Sequence, residues 1–397
     1  MTKLSVVIPA LNEEDAIAEI VERVLAVEPE LSPVGVDTLE LLVVDDGSSD
    51  GTPEIVRGYP QVRLLQHDVN KGYGAALKTG FAAAQGELLG FLDADGTYPP
   101  ERFPQLCQEA MNGGELVVGS RRSGADSHMP LMRKLGNFIW SNLITLLGGS
   151  QVIDPASGMR VFKREALERL YPLPDGLNLT PIMSTRAIHE GIRLVEVPIP
   201  YAERLGRSKL SVVRDGSLFL SSIVWTILTY NPVRILGWAG LGGIFIALVA
   251  LSGLLVSRLG GVTTIGPWGL AGLFGGVVAG FLGVSVFALG VTFNYLISLF
   301  SKRKVRYGVF GKPLFKTPLD RQFGWLGLVC TGAGVLLGIV SLLLGAQGWE
   351  IARLWLYLLG SAMLILVGMQ LAIYWLLLRV LEELSDREQL IQMDLGR

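Results

Sequence analysis

Four stretches of the chain carry no Asp, Glu, Lys or Arg: Ile235–Ser257, Leu259–Ser301, Gln322–Trp349 and Leu354–Leu378. A helix that crosses a bilayer needs about 20 predominantly apolar residues, and each stretch reaches that length. The region 235–378 is therefore expected to be four transmembrane helices. Residues 1–210 have the mixed composition of a water-soluble α/β domain. Residues 211–234 join apolar Leu218, Ile223 and Trp225 to Arg214, Asp215 and several Ser, which suits an amphipathic helix lying in the membrane interface, with a break at Asn231–Pro232. The tail 379–397, with LEELSDREQLIQM, reads as a short amphipathic helix.

Topology follows from the loops. The segment 302–321 holds Lys302, Arg303, Lys304, Arg306, Lys312, Lys316 and Arg321, whereas the other two loops hold Arg258, and Glu350 with Arg353. The positive-inside rule places the basic loop in the cytoplasm. With an even number of spans, the N-terminal domain and the C-terminal tail share that side. The expected location is a multi-pass protein of a prokaryotic plasma membrane with its soluble domain in the cytoplasm. No signal peptide is expected, because the first apolar run, Leu4–Leu11, is short and contains Pro9.

Composition excludes several classes. Half the residues are hydrophobic and 18% are charged, against about 25% in soluble proteins, so the chain is not disordered. Cys107 and Cys330 are the two cysteines, far apart, which excludes a disulfide scaffold and a CxxC site. His67, His128 and His189 have no metal-ligand spacing. A net charge of −2 gives no electrostatic reason to expect a nucleic-acid partner.

The soluble region alternates strands and helices. LSVVIP (4–9), LELLVV (39–44), VRLLQ (62–66), ELLGFL (87–92) and ELVVG (115–119) are expected strands, and Tyr73–Gln85 an expected helix. Asn12 is expected to cap a helix with Glu13, Glu14 and Asp15 in its first turn and Ile17, Ile20, Val21 and Val24 on its buried face. Such a rhythm predicts a mostly parallel sheet, with ligands bound beyond the carboxyl ends of the strands. Asp45–Asp46 and Asp93–Ala94–Asp95 follow two of those ends and are expected to share one crevice.

Two neighbouring carboxylates on a turn repel unless a cation lies between them. Mg²⁺ or Mn²⁺ with a diphosphate suits the pair Asp93 and Asp95, because these ions take one or two carboxylates plus phosphate oxygens. A solvated turn is the plain alternative. Asp45, opening DDGSSDGT, can accept from a base or ribose edge. Asn70-Lys71-Gly72-Tyr73-Gly74 opens a helix with glycines and a Lys, which suits phosphate. It differs from a dinucleotide fingerprint by following the third strand and lacking the third glycine. Basic residues recur downstream at Arg121, Arg133, Arg160 and Arg204-Leu-Gly-Arg207-Ser208-Lys209, the last just before the membrane.

In order, VVIPALNEE (6–14), VVDDGSSDGT (43–52), NKGYGAALKTG (70–80), FLDADGTYPPE (91–101), VVGSR (117–121), DPASGMRVF (154–162) and RLGRSKLS (204–211) resemble the family 2 glycosyltransferases of the GT-A fold. Within them the set looks like the branch of dolichol-phosphate mannose synthase and its bacterial polyprenyl-phosphate relatives. The resemblance covers about residues 4–212. It implies a Rossmann-like GT-A domain, and it implies that Pro9, Leu11 and Glu13 line a base pocket, with Asp45 on the base edge and Asp46 and Lys71 nearby. It implies Asp93 at the ribose or metal shell, Asp95 on the metal, and Thr97 where the mannose synthases have a metal-reaching Gln. Arg121, Arg133 and Asn137 would hold the acceptor phosphate, Asn137 standing where the family usually has Ser. Arg204, Ser208 and Lys209 would close over the donor diphosphate.

The implied reaction is an inverting, metal-dependent transfer of one sugar from a nucleotide-sugar, with UDP favoured over GDP-mannose, to undecaprenyl or dolichyl phosphate. An anionic acceptor needs no strong general base. The processive relatives carry Q-x-x-R-W, which Gln322-Phe-Gly-Trp325 does not match. Two alternatives stand beside this reading: transfer to a hydroxyl lipid, which needs a base, and a non-catalytic membrane protein with a relic nucleotide domain. Gly-rich helices such as 272–283 suit close packing and leave room for a homo-oligomer.

Overall fold

The computed structural model describes residues 2–121, 131–148, 152–202, 212–262, 266–301, 319–349 and 351–394. Contacts divide the chain into two units, Met1–Ile227 and Leu228–Arg397.

In the first unit, β1 (Lys3–Ala10), β2 (Thr38–Asp45), β3 (Val62–Gln66), β4 (Leu88–Phe91), β5 (Leu116–Ser120), β6 (Arg160–Lys163) and β7 (Leu194–Pro198) form one sheet in the order β3-β2-β1-β4-β6-β5-β7. The helices are α1 (Ile17–Ala26), α2 (Glu28–Leu31), α3 (Thr52–Arg57), α4 (Tyr73–Ala83), α5 (Phe103–Met111), α6 (Leu131–Gly148), α7 (Arg164–Leu170), α8 (Leu179–Glu190) and α9 (Val212–Tyr230). All strand neighbours are parallel except β6, which is antiparallel to β4 and β5. This is the mostly parallel α/β sheet expected of the GT-A class.

The alternation of side chains along β1 builds both layers of the core. Val6 and Ile8 face α1 and α5, packing with Ile17, Ile20, Val24, Phe103 and Leu106. Val7 points the other way, onto α4, in a layer that also holds α7 and α8. There Phe81 stands edge-on to Phe162, their ring centres 5.3 Å apart.

Register gathers the loops that matter at one edge. Ala10 pairs with Asp45, and Val7 with Phe91, so the chain leaves β1, β2 and β4 on the same side. Because β6 runs the other way, it begins where the parallel strands end, with Arg160 opposite both Phe91 and Val118. The segment 154–159 therefore enters the same edge.

Two local expectations are corrected. Helix α1 begins at Ile17 rather than at Asn12. Asn12 adopts φ 50° and is used elsewhere: its amide N–H donates to Ser48 Oγ (2.8 Å) and its side-chain oxygen accepts from the Ser49 amide (2.8 Å). Residues 11–14 are thus stitched to the loop after β2 and are unavailable as a first helical turn. Strands β6 and β7 are additions to the five expected.

The second unit consists of α10 (Pro232–Leu259), α11 (Pro267–Ser301), α12 (Leu319–Ala346) and α13 (Ile351–Asp394). All four contain spans long and apolar enough to cross a membrane, as their charge-free sequences predict. Proline at the first position of α10 marks the expected break after Asn231. The tail beyond Arg379 continues α13 without interruption, since no Gly or Pro separates them. Helix α10 packs on α11, α12 on α13, and α11 also meets α13.

Candidate active site

Asp93 and Asp95 follow β4 at the gathered edge, and each is oriented by a hydroxyl. Thr97 donates both its hydroxyl (2.6 Å) and its amide (3.2 Å) to Asp95 Oδ1. Tyr73, at the start of α4, donates its hydroxyl to Asp93 Oδ1 at 2.7 Å. Asp93 Oδ2 lies directly against Gly158, where a Cβ would overlap it. The Gly158 amide is in turn fixed by donating to the Tyr98 hydroxyl at 2.7 Å. Burial, then the Asp93 carboxylate, push the Tyr73 phenol well above its usual value, so it remains a donor.

The donor set fits a hard divalent ion. Among the described residues no group of three or more His, Cys, Asp and Glu converges. Asp93 and Asp95 supply the one or two carboxylates that Mg²⁺ or Mn²⁺ draws from a protein when phosphate oxygens complete the shell. The Thr97 hydroxyl donates its proton to Asp95, which orients that carboxylate.

Asp45 and Asp46 end β2 and are buried. Asp45 accepts from the Ser48 amide (3.1 Å) and from Gln66 Nε2 (3.2 Å). Asp46 accepts from the amides of Lys71 (2.9 Å) and Gly72 (2.8 Å), and its Oδ1 also meets His67 Nδ1 at 2.7 Å. His67 Nε2 continues to Thr79 Oγ1 at 2.9 Å. Asp46 therefore clamps the loop 70–74 to the sheet.

The glycines of that loop suit phosphate in the sequence, and in the structure two amides in the first turn of α4 are engaged within the protein. Gly74 and Ala75 donate to the Asp175 carbonyl at 2.7 and 3.1 Å. The glycines serve close packing on the segment 174–176. A Cβ at Gly72, where φ is 104°, would come within 2.6 Å of Asp175 O, and one at Gly74 would overlap Pro174 O. Lys71 keeps an exposed side chain beside this clamp.

Arg121 follows β5 and lies beside the fully buried Asp154. Its guanidinium makes two bonds to the carboxylate, and its backbone amide a third at 2.9 Å. Its cationic carbon stands 5.8 and 5.4 Å from the ring centres of Tyr98 and Tyr201. Asn137 of α6 donates its amide to the same Asp154 at 2.7 Å, bringing Arg121 and Asn137 together on one carboxylate. Arg133 lies on α6 one turn before Asn137. The Glu196 carboxylate accepts the Ile153 and Asp154 amides, at 2.9 and 2.7 Å.

Beneath them Arg160 is fully buried. It donates to the carbonyls of Ser157 (3.1 Å) and Pro155 (2.7 Å), and burial pulls its guanidinium down to about 10. Asp154, Tyr73, Tyr98 and Glu196 have no role in the sequence reading, and Arg160 enters it only as one of the recurring basic residues. The signal lay in DPASGMRVF, whose Asp, Gly and Arg are the residues that reach this edge.

Pro9 is buried in β1 opposite Val44, and Leu11 and Glu13 follow half-buried, with the Glu13 amide donating to Thr52 Oγ1 at 2.9 Å. Arg204, Ser208 and Lys209 lie outside the described residues. The last described residue before them, Ala202, donates its amide to Thr97 O at 3.2 Å.

With this geometry in place, comparison with known proteins is specific. Residues 5–171 match the model of glycosyl transferase family 2, and residues 232–392 match a domain of unknown function, DUF8752. The undecaprenyl-phosphate 4-deoxy-4-formamido-L-arabinose transferase of Photorhabdus laumondii is 30% identical over 315 residues, covering 77% of this chain and 91% of that one. The transferase of the same name from Aeromonas hydrophila is 28% identical over 316 residues, with 76% and 91% covered. Among solved structures, glucosyl-3-phosphoglycerate synthase from Mycobacterium tuberculosis, crystallised with Mn²⁺, UDP-glucose and phosphoglyceric acid, aligns at TM-score 0.44 and 23% identity over 57% of this chain and 80% of that one.

Proposed function

The chain belongs to glycosyl transferase family 2 and is a glycosyltransferase, and on that footing we propose that it transfers a single sugar from a nucleotide-sugar to a polyprenyl phosphate with inversion. The observation that carries this reading is the oriented pair Asp93 and Asp95 at the same edge as the Arg121–Asp154 ion pair. One is suited to a donor diphosphate and the other to an anionic acceptor. The names of the relatives support undecaprenyl phosphate as the acceptor class.

A bound Mg²⁺ or Mn²⁺ would neutralise the oxygens of the leaving diphosphate. Asp93 and Asp95 would hold it, with Thr97 fixing the direction of Asp95. Asp45 would take the base edge, with Pro9, Leu11 and Glu13 around the base and a UDP-sugar preferred over GDP-mannose. Lys71, Arg204, Ser208 and Lys209 would meet the phosphates. Arg121 and Arg133 would face the acceptor phosphate, with Asn137 setting the Asp154 carboxylate. The acceptor oxygen is already anionic and attacks without a strong base, in line with the leaving group. The four spans would place this site at a bacterial plasma membrane, on its cytoplasmic face, where the lipid headgroup is presented.

The test uses the full chain in detergent with Mg²⁺ or Mn²⁺ and undecaprenyl phosphate. Labelled UDP-glucose, UDP-GlcNAc, UDP-galactose, GDP-mannose and a nucleotide-linked 4-deoxy-4-formamido-L-arabinose are offered separately. A labelled lipid that mild acid releases is the expected product. An acid-stable glycolipid made only from a hydroxyl lipid would overturn the acceptor, and a product of retained configuration would overturn the in-line displacement.

A further inference from the structure

The motif Asn70-Lys71-Gly72-Tyr73-Gly74 is conspicuous in the sequence, and most of its backbone amides are engaged within the protein. Lys71 and Gly72 give their amides to Asp46, and Gly74 and Ala75 give theirs to the Asp175 carbonyl. The residue between these two clamps is Tyr73, and its hydroxyl ends on Asp93 at 2.7 Å. We infer that Tyr73 is a positioning residue for the metal–diphosphate site, held by the two flanking clamps so that it fixes the Asp93 carboxylate against Gly158.

The arrangement leaves Asp93 little freedom. Tyr73 engages Oδ1, and the bare backbone of Gly158 lies against the carboxylate with no room for a Cβ. Gly158 is itself pinned by Tyr98. A neutral phenol suits the task, because it donates to the carboxylate without cancelling the charge that a cation would meet. Thr97 does the same for Asp95 from within its own turn. The two carboxylates are thus aimed by separate hydroxyls, one local and one brought from α4. Groups that orient metal ligands from behind govern affinity as the ligands do, and their loss typically lowers it by roughly 10-fold to 100-fold.

The inference rests on the metal-dependent reading, and the experiment separates the two. Full-length protein in detergent is titrated with Mn²⁺ by electron paramagnetic resonance, with UDP or GDP present, whichever binds without metal. Binding by the unsubstituted protein tests the metal-dependent reading; its absence would overturn that reading and this inference with it. Tyr73→Phe keeps the ring and removes only the donor. It is expected to weaken Mn²⁺ by roughly 10-fold or more while metal-free nucleotide binding and thermal midpoint stay near those of the unsubstituted protein. In an Asp93→Asn background the same change should have little further effect. Unchanged Mn²⁺ affinity in Tyr73→Phe, or an equal loss with and without Asp93, would overturn the inference. If Tyr73→Phe loses metal-free nucleotide binding, Gly158→Ala gives the second reading. It displaces the same carboxylate with the phenol intact, and retained Mn²⁺ affinity there would equally overturn the proposal.

Discussion

Arg121 and Asp154 form a two-pronged ion pair, Nε to Oδ2 at 2.8 Å and Nη2 to Oδ1 at 2.7 Å, although 33 residues separate them. Asp154 is fully buried, and the Arg121 side chain is 11% exposed. Removing one partner of a buried pair leaves an uncompensated charge and costs about 3–5 kcal/mol. Asp154→Ala should therefore lower the thermal midpoint of the detergent-solubilised protein by roughly 10 °C. Differential scanning fluorimetry checks this, and a shift within about 2 °C would show the pair to be dispensable for the fold.

The same pair has a pH signature. Burial pushes the Asp154 carboxyl up, but the Arg121 charge and the hydrogen bonds from Arg121 and Asn137 outweigh it, holding the group below the usual carboxylate value. A carboxyl lowered by folding stabilises fully above its unfolded value of about 4 and loses that contribution as pH falls through its native value. The gap in thermal midpoint between the unsubstituted protein and Asp154→Asn should stay level from pH 8 to about 5 and close below about 4. A gap that closes between pH 8 and 6 would contradict the assignment.

Strands β1 to β5 were legible because each is an apolar run ending in a turn. The placement of Asp45, Asp46, Asp93 and Asp95 at one edge of the sheet was legible because they stand at two of those ends. β6 was not: Arg-Val-Phe-Lys is four residues with a cation at each end, and it reads as a strand only once β4 and β5 flank it. The glycines of the loop 70–74 were visible, but what they touch lies about a hundred residues on, at Pro174–Gly176, and local chemistry does not reveal that. Asn12 misled for a related reason. A residue suited to capping was bonded instead to Ser48 and Ser49, a partner set by strand register.

Asp95 gives a direct test of the site. Asp95→Ala should abolish Mn²⁺ binding and lower turnover by roughly two to three orders of magnitude, the scale of losing one electrostatic stabiliser. Steady-state transfer assays read this, and near-full turnover would remove Asp95 from the mechanism. Arg133→Ala should instead raise the acceptor KM with little change in donor binding, and an unchanged acceptor dependence would refute its role.

Gly74 tests the packing role of the glycine-rich loop. A Cβ there would overlap Pro174 O and approach Asp175 C to 2.9 Å, both backbone atoms that cannot rotate away. Gly74→Ala should cost about 1–3 kcal/mol, as overpacking does, and expose the segment 174–176 to limited proteolysis. If the variant is as stable and resistant as the unsubstituted protein, the loop does not depend on this approach.

The glycines of α11 divide into two kinds. At Gly283 a Cβ would meet Ile244 N at 2.6 Å and Gly240 O at 2.8 Å, so the backbones of α10 and α11 are in contact there. At Gly272 and Gly275 a Cβ would meet nothing beyond its own stretch of helix within 4 Å. Apolar burial does not drive helices together in lipid, so their association depends on close packing of this kind. Gly283→Ala must push the helices apart, whereas Gly272→Ala adds a methyl to open space and improves helix propensity. The thermal midpoint of the detergent-solubilised protein should fall for the first and hold or rise for the second. Equal responses to the two changes would mean that the glycines of α11 do not set the approach of α10.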